Sequence, residues 1–84
     1  MYKVVIAPQA KQQLKSIAKI THRDAVAGAI EELKEDPYMG KKLTRELEGK
    51  YSYRVGVYRI IYKVYEKEKR VEVVTAGHRS TVYQ

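Results

Sequence analysis

The stretch from Tyr51 to Tyr65 (YSYRVGVYRIIYKVY) constrains this chain more than any other. Two runs rich in β-branched and aromatic residues, Tyr51 to Val55 and Tyr58 to Tyr65, flank the dipeptide Gly56-Val57. A two-residue link with glycine first suits a type II′ hairpin turn, whose first central residue takes a positive φ. That turn fixes a register in which Val55 opposes Tyr58, Arg54 opposes Arg59 and Tyr53 opposes Ile60. Side chains alternate between the faces of a strand. Tyr53, Val55, Tyr58, Ile60, Tyr62 and Val64 therefore share an apolar face, the expected core side, and Ser52, Arg54, Arg59, Ile61 and Lys63 share the other.

The remaining segments supply partners for this hairpin. Tyr2 to Ala7 (YKVVIA) is short and β-branched and reads as a strand. Pro8 suits the first turn of a helix, and Ala10, Leu14, Ile17 and Ala18 then recur at helical spacing. Thr21 with Asp24 three residues on has the form of a capping box. It precedes a second stripe of Val26, Ala29, Ile30 and Leu33, which Asp36-Pro37 ends. His22 reads as an exposed residue at that helix start. Lys41 to Lys50 reads either as a short strand or as an extended loop. Glu66 to Lys69 is a charged turn, Val71 to Ala76 (VEVVTA) a further strand, and Gly77 to Gln84 a tail. The order β-α-α-β-β-β predicts an α+β fold: one domain over residues 1–84, with a two-helix hairpin on a mostly antiparallel sheet of about four strands. At 84 residues there is room for one core.

Composition narrows the partners. The formal net charge is +7, a surplus that on so short a chain points to a polyanion: RNA, DNA or an acidic protein. No apolar stretch approaches the ~18–20 residues that span a bilayer, and the eight aromatics are all tyrosines, so no Trp or Phe anchors an interface. We therefore expect no membrane partner. There is no cysteine, which excludes disulfides and thiolate metal sites and suits a reducing cytoplasm. No cluster of His with Asp or Glu has metal-ligand spacing, so neither a metal nor another cofactor is expected.

The chemistry concentrates where the strands end. Like charges directly opposite each other, as Arg54 and Arg59 are in this register, are unfavourable. Two readings stand: the side chains splay into solvent, or they hold an anion, for which phosphate fits the guanidinium fork. A regular second hairpin about Glu66 to Lys69 sets Tyr65 opposite Arg70, Lys63 opposite Glu72 as a surface ion pair, and Arg59 opposite Ala76. His78 and Arg79 then run past the strand of Arg59, with Tyr83 within reach. One fitting reaction is attack of an RNA 2′-hydroxyl on the adjacent phosphodiester, which needs a base, charge stabilisation at phosphorus and an acid for the leaving 5′-oxygen. His78 has an imidazole suited to proton transfer near neutrality, or else is a turn residue without a role. Tyr83 is either a proton carrier or a packing residue of the tail.

These residues carry a resemblance. YSYRVGVYRIIYKV (Tyr51 to Val64) followed by VEVVTAGHRSTVY (Val71 to Tyr83) is similar to the RelE/ParE toxin superfamily, on its RelE side, and Lys41 to Gly49 (KKLTRELEG) and the length also fit. The resemblance implies a toxin of a type II toxin–antitoxin system: a metal-independent endoribonuclease that cleaves messenger RNA on the ribosome and leaves a 2′,3′-cyclic phosphate. It matches Arg54, Arg59, Arg79 and Tyr83 to family positions, implying phosphate binding and transition-state stabilisation by the arginines and a base role for Tyr83. Where some members carry two lysines flanking one residue, this chain has Ser52 and Arg54. Arg59, Arg79, Tyr83 and His78 are thus the catalytic candidates, and Arg54, Ser52 and Lys63 the RNA- or phosphate-binding ones. The implied partners are a cognate acidic antitoxin, in a toxin–antitoxin hetero-oligomer, and messenger RNA on the ribosome with ribosomal RNA contacts. A ParE-like inhibitor of DNA gyrase, with the same fold and no nuclease site, is the alternative; a non-catalytic RNA- or protein-binding module is another.

Overall fold

The computed structural model describes residues 1–44 and 49–79. The chain runs β1 (Lys3–Ile6), α1 (Pro8–Lys15), α2 (Ile20–Glu35), β2 (Lys41–Lys42), β3 (Lys50–Val55), β4 (Tyr58–Tyr65) and β5 (Arg70–His78). The strands form one five-stranded sheet in the order β1-β5-β4-β3-β2, with β1 parallel to β5 and the other pairs antiparallel. The α+β architecture is as expected, and the ambiguous Lys41 to Lys50 segment contributes the fifth strand, two residues long.

Both helices lie on one face of the sheet. Ala10 and Ile17 from the first helical segment and Val26, Ala29, Ile30 and Leu33 from α2 join Ile60, Tyr62, Val71, Val73 and Ala76 in a single core. α1 stops sooner than the apolar spacing implied. Ser16 is its C-cap, and the Ser16 hydroxyl donates to the Gln12 carbonyl (2.9 Å). Ile17 is buried from beyond the helix end, whereas Ala18 is exposed. α2 starts at Ile20 with Lys19 as its N-cap and no side-chain cap, so the Thr21 capping box does not form. No helix of the described residues is long and apolar enough to cross a membrane.

The β3–β4 register is the one the turn dictates, with Arg54 opposite Arg59, and Gly56 takes φ 59°. The β4–β5 ladder departs from expectation. It pairs Tyr65 with Arg70 and Lys63 with Glu72, but slips between Ile61 and Tyr62: Tyr62 faces Val73 and Ile61 faces Thr75. Val74 is the additional residue of a β-bulge. Beyond it Ile60 faces Ala76, Arg59 faces Gly77 and Tyr58 faces His78, so the expected pairing of Arg59 with Ala76 is displaced by one. The bulge lets Val71, Val73 and Ala76 all reach the core, fully buried. The strand continues through Gly77 and His78, which are therefore not tail residues.

Tyr62 ties the short β2 edge to the core. It is fully buried, and its ring stacks on Tyr51 at 5.6 Å between centroids. The Gly40 amide donates to its hydroxyl (3.1 Å). Burial pushes its phenol up to about 12, against the opposing effect of the Gly40 amide. A Cβ on Gly40 would stand 2.5 Å from that hydroxyl and 2.9 Å from the Ser52 carbonyl. At the other end of the sheet, Glu66 accepts hydrogen bonds from Tyr2 (2.7 Å), Tyr38 and Lys69 (2.5 Å), joining the N-terminus, the α2–β2 link and the β4–β5 turn. Lys69 closes that turn with φ 51°.

Two outcomes follow from these contacts. Gly40→Ala must push β2 or Tyr62 aside, an overpacking cost of roughly 1–3 kcal/mol, read as a lower midpoint in urea denaturation. Glu66 is held at about 2 by Lys69 first, then by Tyr38 and Tyr2, below an ordinary 4.5. Its folded value is depressed, so its contribution is present above the ordinary value and is lost as pH falls through about 2. The melting temperature of the parent should therefore fall more between neutral pH and pH ~2 than that of Glu66→Gln.

Candidate nucleic-acid interface

The sheet face away from the helices is basic. The observed register puts Lys3, Lys41, Lys50, Arg54, Arg59, Lys63 and Arg70 on it. Glu72 is the only acidic residue in any of the five strands. Three cross-strand pairs bring like charges together: Arg54 with Arg59, Lys50 with Lys63, and Lys3 with Arg70. Each is unfavourable by a few tenths of a kcal/mol to ~1 kcal/mol in isolation. Lys63 and Glu72 are neighbours as expected, yet the surface ion pair is not what Glu72 makes; it accepts the Tyr65 hydroxyl at 3.0 Å.

At the hairpin end this face opens into a groove of about 550 Å³ lined by Met39, Gly40, Lys41, Ser52, Arg54 and Arg59, together with Tyr53. The two arginines differ in setting. Arg59 is only 7% exposed and Arg54 is exposed, so the picture of two side chains both open to solvent holds for Arg54 alone. Ser52 is buried at 8% exposure and Lys63 is half-buried. The Lys41 to Ser52 pairing of β2 with β3 adds a third cation to the rim. Lys41 and Gly40 were not among the sequence candidates. Their signal was the glycine directly before a lysine pair, at a segment whose strand character the sequence left open.

The sequence candidates at the chain's end separate. The Arg79 amide donates to the Val57 carbonyl (2.8 Å), which brings Arg79 to the sheet end that carries Arg54 and Arg59. His78 does not join them. The bulge pairs it with Tyr58, on the helix side of the sheet. Its ring meets Tyr58 edge-on at 5.9 Å, and it lines a groove of about 520 Å³ with Gln9, Gln12 and Gln13 of α1. His22, expected to be exposed, is half-buried against the same tyrosine, with Nδ1 3.3 Å from the Tyr58 hydroxyl. Tyr83 lies outside the described residues. Among the described residues no three His, Cys, Asp or Glu side chains come together in a way that could hold a metal ion.

This fold and this sequence have known relatives. A family model described as the ParE toxin of the type II toxin–antitoxin system parDE matches residues 4–83. Toxin RelG of Mycobacterium tuberculosis is 30% identical over 84 residues, covering 99% of this chain and 97% of the relative. Toxin RelE of the same organism is 31% identical over 84 residues, covering 99% and 87%. Among solved structures, the toxin–antitoxin complex RelBE2 of M. tuberculosis contains a chain that superposes with a TM-score of 0.85 at 30% identity, covering 93% of this chain and 98% of that one. The isolated RelE toxin of E. coli shares the fold, with a TM-score of 0.79 at 23% identity over 99% of this chain and 92% of that one. With a family model matching nearly its whole length and two toxin relatives aligned over 99% of it, the chain belongs to the RelE/ParE superfamily of toxins from type II toxin–antitoxin systems.

Proposed function

We propose that this chain is an endoribonuclease that cleaves messenger RNA on the ribosome, in the cytoplasm, with arginines rather than a metal stabilising the reacting phosphate. The observation that carries the reading is the Arg54–Arg59 pair at the bottom and rim of one groove, with Arg79 starting from the same sheet end. In the reaction, the ribose 2′-oxygen attacks the adjacent phosphorus, its proton passes to a base, and the 5′-oxygen leaves with a proton. The products are a 2′,3′-cyclic phosphate and a 5′-hydroxyl. Arg59 and Arg79 contact the scissile phosphate and stabilise its added charge, and Arg54 orients it. Ser52 and Lys63 contact the RNA on either side.

The base is Tyr83 in this reading. His78 was the other candidate, but it sits on the helix side of the sheet. A site with so few positioning groups depends on the ribosome to orient the message, since orientation supplies much of a barrier reduction. The alternative of a ParE-like gyrase inhibitor has one finding in its favour, the ParE description of the matching family model. Mapping transcript ends after induced expression separates the two: discrete new 5′ ends support the nuclease, and their absence with growth arrest supports the inhibitor.

The partner in this reading is a cognate acidic antitoxin that forms a hetero-oligomer with the toxin and covers the basic face. Two observations support it: the chain carries +7, and the similar chains solved as RelBE2 of M. tuberculosis and RelBE of E. coli are in toxin–antitoxin complexes.

In single-turnover cleavage of programmed ribosomes, Arg59→Ala and Arg79→Ala should each lose ~10²–10³-fold in rate. Arg59→Lys should recover part of that, because it restores charge without the fork. His78→Ala should cut near the parent rate and Tyr83→Phe should not. Parent-rate cleavage by both alanine variants would overturn the phosphate-clamp reading, with circular dichroism as the folding control. Antitoxin affinity should fall steadily as salt is raised, because screening at ~8–10 Å weakens surface attraction; an affinity flat across the titration would remove the charge argument for that partner.

A further inference from the structure

The outer sheet face has a second end, remote from the groove. Tyr65 lies six residues along β4 from Arg59, about 20 Å at ~3.3–3.4 Å per residue. There the Arg70 guanidinium lies over the Tyr65 ring at 4.3 Å from its centroid. The Arg70 Nε is shut from solvent and makes no hydrogen bond among the described residues. The Tyr65 hydroxyl is fixed on Glu72 (3.0 Å), which uses one carboxylate oxygen for it. Val5, 43% exposed, sits beside them, and Val5, Tyr65, Arg70 and Glu72 line an open depression of about 240 Å³. Lys3 pairs with Arg70 across β1 and β5, and the row alongside carries Lys50 opposite Lys63.

We propose that this end of the sheet is a second nucleotide subsite, which takes a nucleotide of the same RNA strand that threads the Arg54–Arg59 groove. The inference rests on the reading of that groove as an RNA site. Three features specify a nucleotide rather than a bare anion. The like-charged Lys3–Arg70 pair suits a bridging phosphate. The planar Arg70–Tyr65 pair next to an apolar Val5 suits a base, because stacking on aromatic rings and guanidinium planes is how single-stranded RNA bases are held. Glu72 fixes the tyrosine ring and faces no other carboxylate on the sheet. Between the two ends the face continues through Lys63, so a strand laid along β4 meets a cation in the middle of its path.

The test is binding of oligonucleotides methylated at every 2′-oxygen, which cannot be cleaved, read by fluorescence anisotropy at low salt. A trinucleotide fills the groove alone, and an octanucleotide of the same composition reaches both ends. The parent should bind the octanucleotide at least tenfold more tightly, with one oligonucleotide per protein. Tyr65→Leu should lose about tenfold of that gain, the worth of one stacked base, and Arg70→Gln a similar share. Tyr65→Phe should keep most of the gain, because the ring that stacks stays and only the hydrogen bond that fixes it to Glu72 is lost. Lys3→Gln should lower the salt slope for the octanucleotide by about 0.7. If the parent shows no gain with length, binds two octanucleotides, or keeps its full gain in Arg70→Gln and Tyr65→Leu, the subsite is refuted. Arg70→Gln decides alone if Tyr65→Leu loses its circular dichroism signal. Arg59→Ala tests the groove separately: unchanged trinucleotide affinity there would remove the groove reading, whatever the far end does.

Discussion

Between the pairs Tyr62–Val73 and Ile61–Thr75, the β4–β5 ladder takes in one unmatched residue, Val74, and every side chain of β5 beyond it changes face. A regular ladder would have turned Ala76 outward and faced it with Arg59. Instead Ala76 is fully buried, and Gly77 lies opposite Arg59. A glycine there presents no side chain to compete for the space around a buried guanidinium. The same slip sends His78 to the helix side, against Tyr58. The separation of a cationic face from an imidazole-bearing face is therefore decided by a single inserted residue. Gln13 of α1 supports the segment beyond it: β1 ends at Ile6, so the Ala76 amide has no strand partner on that side and donates to the side-chain Oε1 of Gln13 instead (2.8 Å).

The basic face costs stability that the opposite face must offset. The like-charged cross-strand pairs Lys50–Lys63 and Lys3–Arg70 oppose folding by up to ~1 kcal/mol each. The helix-side core supplies the compensation, with Tyr62, Leu33, Ile60, Val26, Val71 and Val73 fully buried. Removing one such side chain typically costs several times a single like-charge pair. One sheet thus holds a self-repelling surface and a close-packed one back to back. Any polyanion bound on the outer face would neutralise the repulsion and so raise the stability of the fold.

Much of this was legible in the sequence because local rules decided it. Gly56 before Val57 fixed the β3–β4 turn, and with it the Arg54–Arg59 pair, since a type II′ link leaves no freedom in register. The α2 stripe of Val26, Ala29, Ile30 and Leu33 is buried as its spacing implied. What was hidden depended on tertiary contacts. Nothing in VEVVTAGH marks Val74 as the bulged residue; its position follows from which of Val73, Val74 and Ala76 the helices can bury. Lys41 and Lys42 form a strand only because Gly40 lets the chain approach the Tyr62 hydroxyl and the Ser52 carbonyl. His22 looks solvent-facing from its place at a helix start, and is half-buried because Tyr58 comes from a strand 36 residues later. The Lys63–Glu72 pair was correctly placed as neighbours, but the nearer Tyr65 hydroxyl takes the carboxylate.

The unequal burial of the two arginines bears on how such a groove would act. Both are cross-strand partners, but Arg59 is 7% exposed and Arg54 is on the surface. A guanidinium held in place before the ligand arrives, with little water around it, interacts with an anion more strongly than one in bulk solvent. It also loses less side-chain entropy on binding, because its rotamer is already set by packing. Arg54 keeps its freedom and its hydration, and its interaction is screened by salt. The pair therefore divides into a fixed charge at the base of the groove and a mobile one at its rim. That division matches the roles proposed for them: charge that must be in place when negative charge grows on phosphorus belongs on Arg59, and capture and orientation of the incoming strand belong on Arg54.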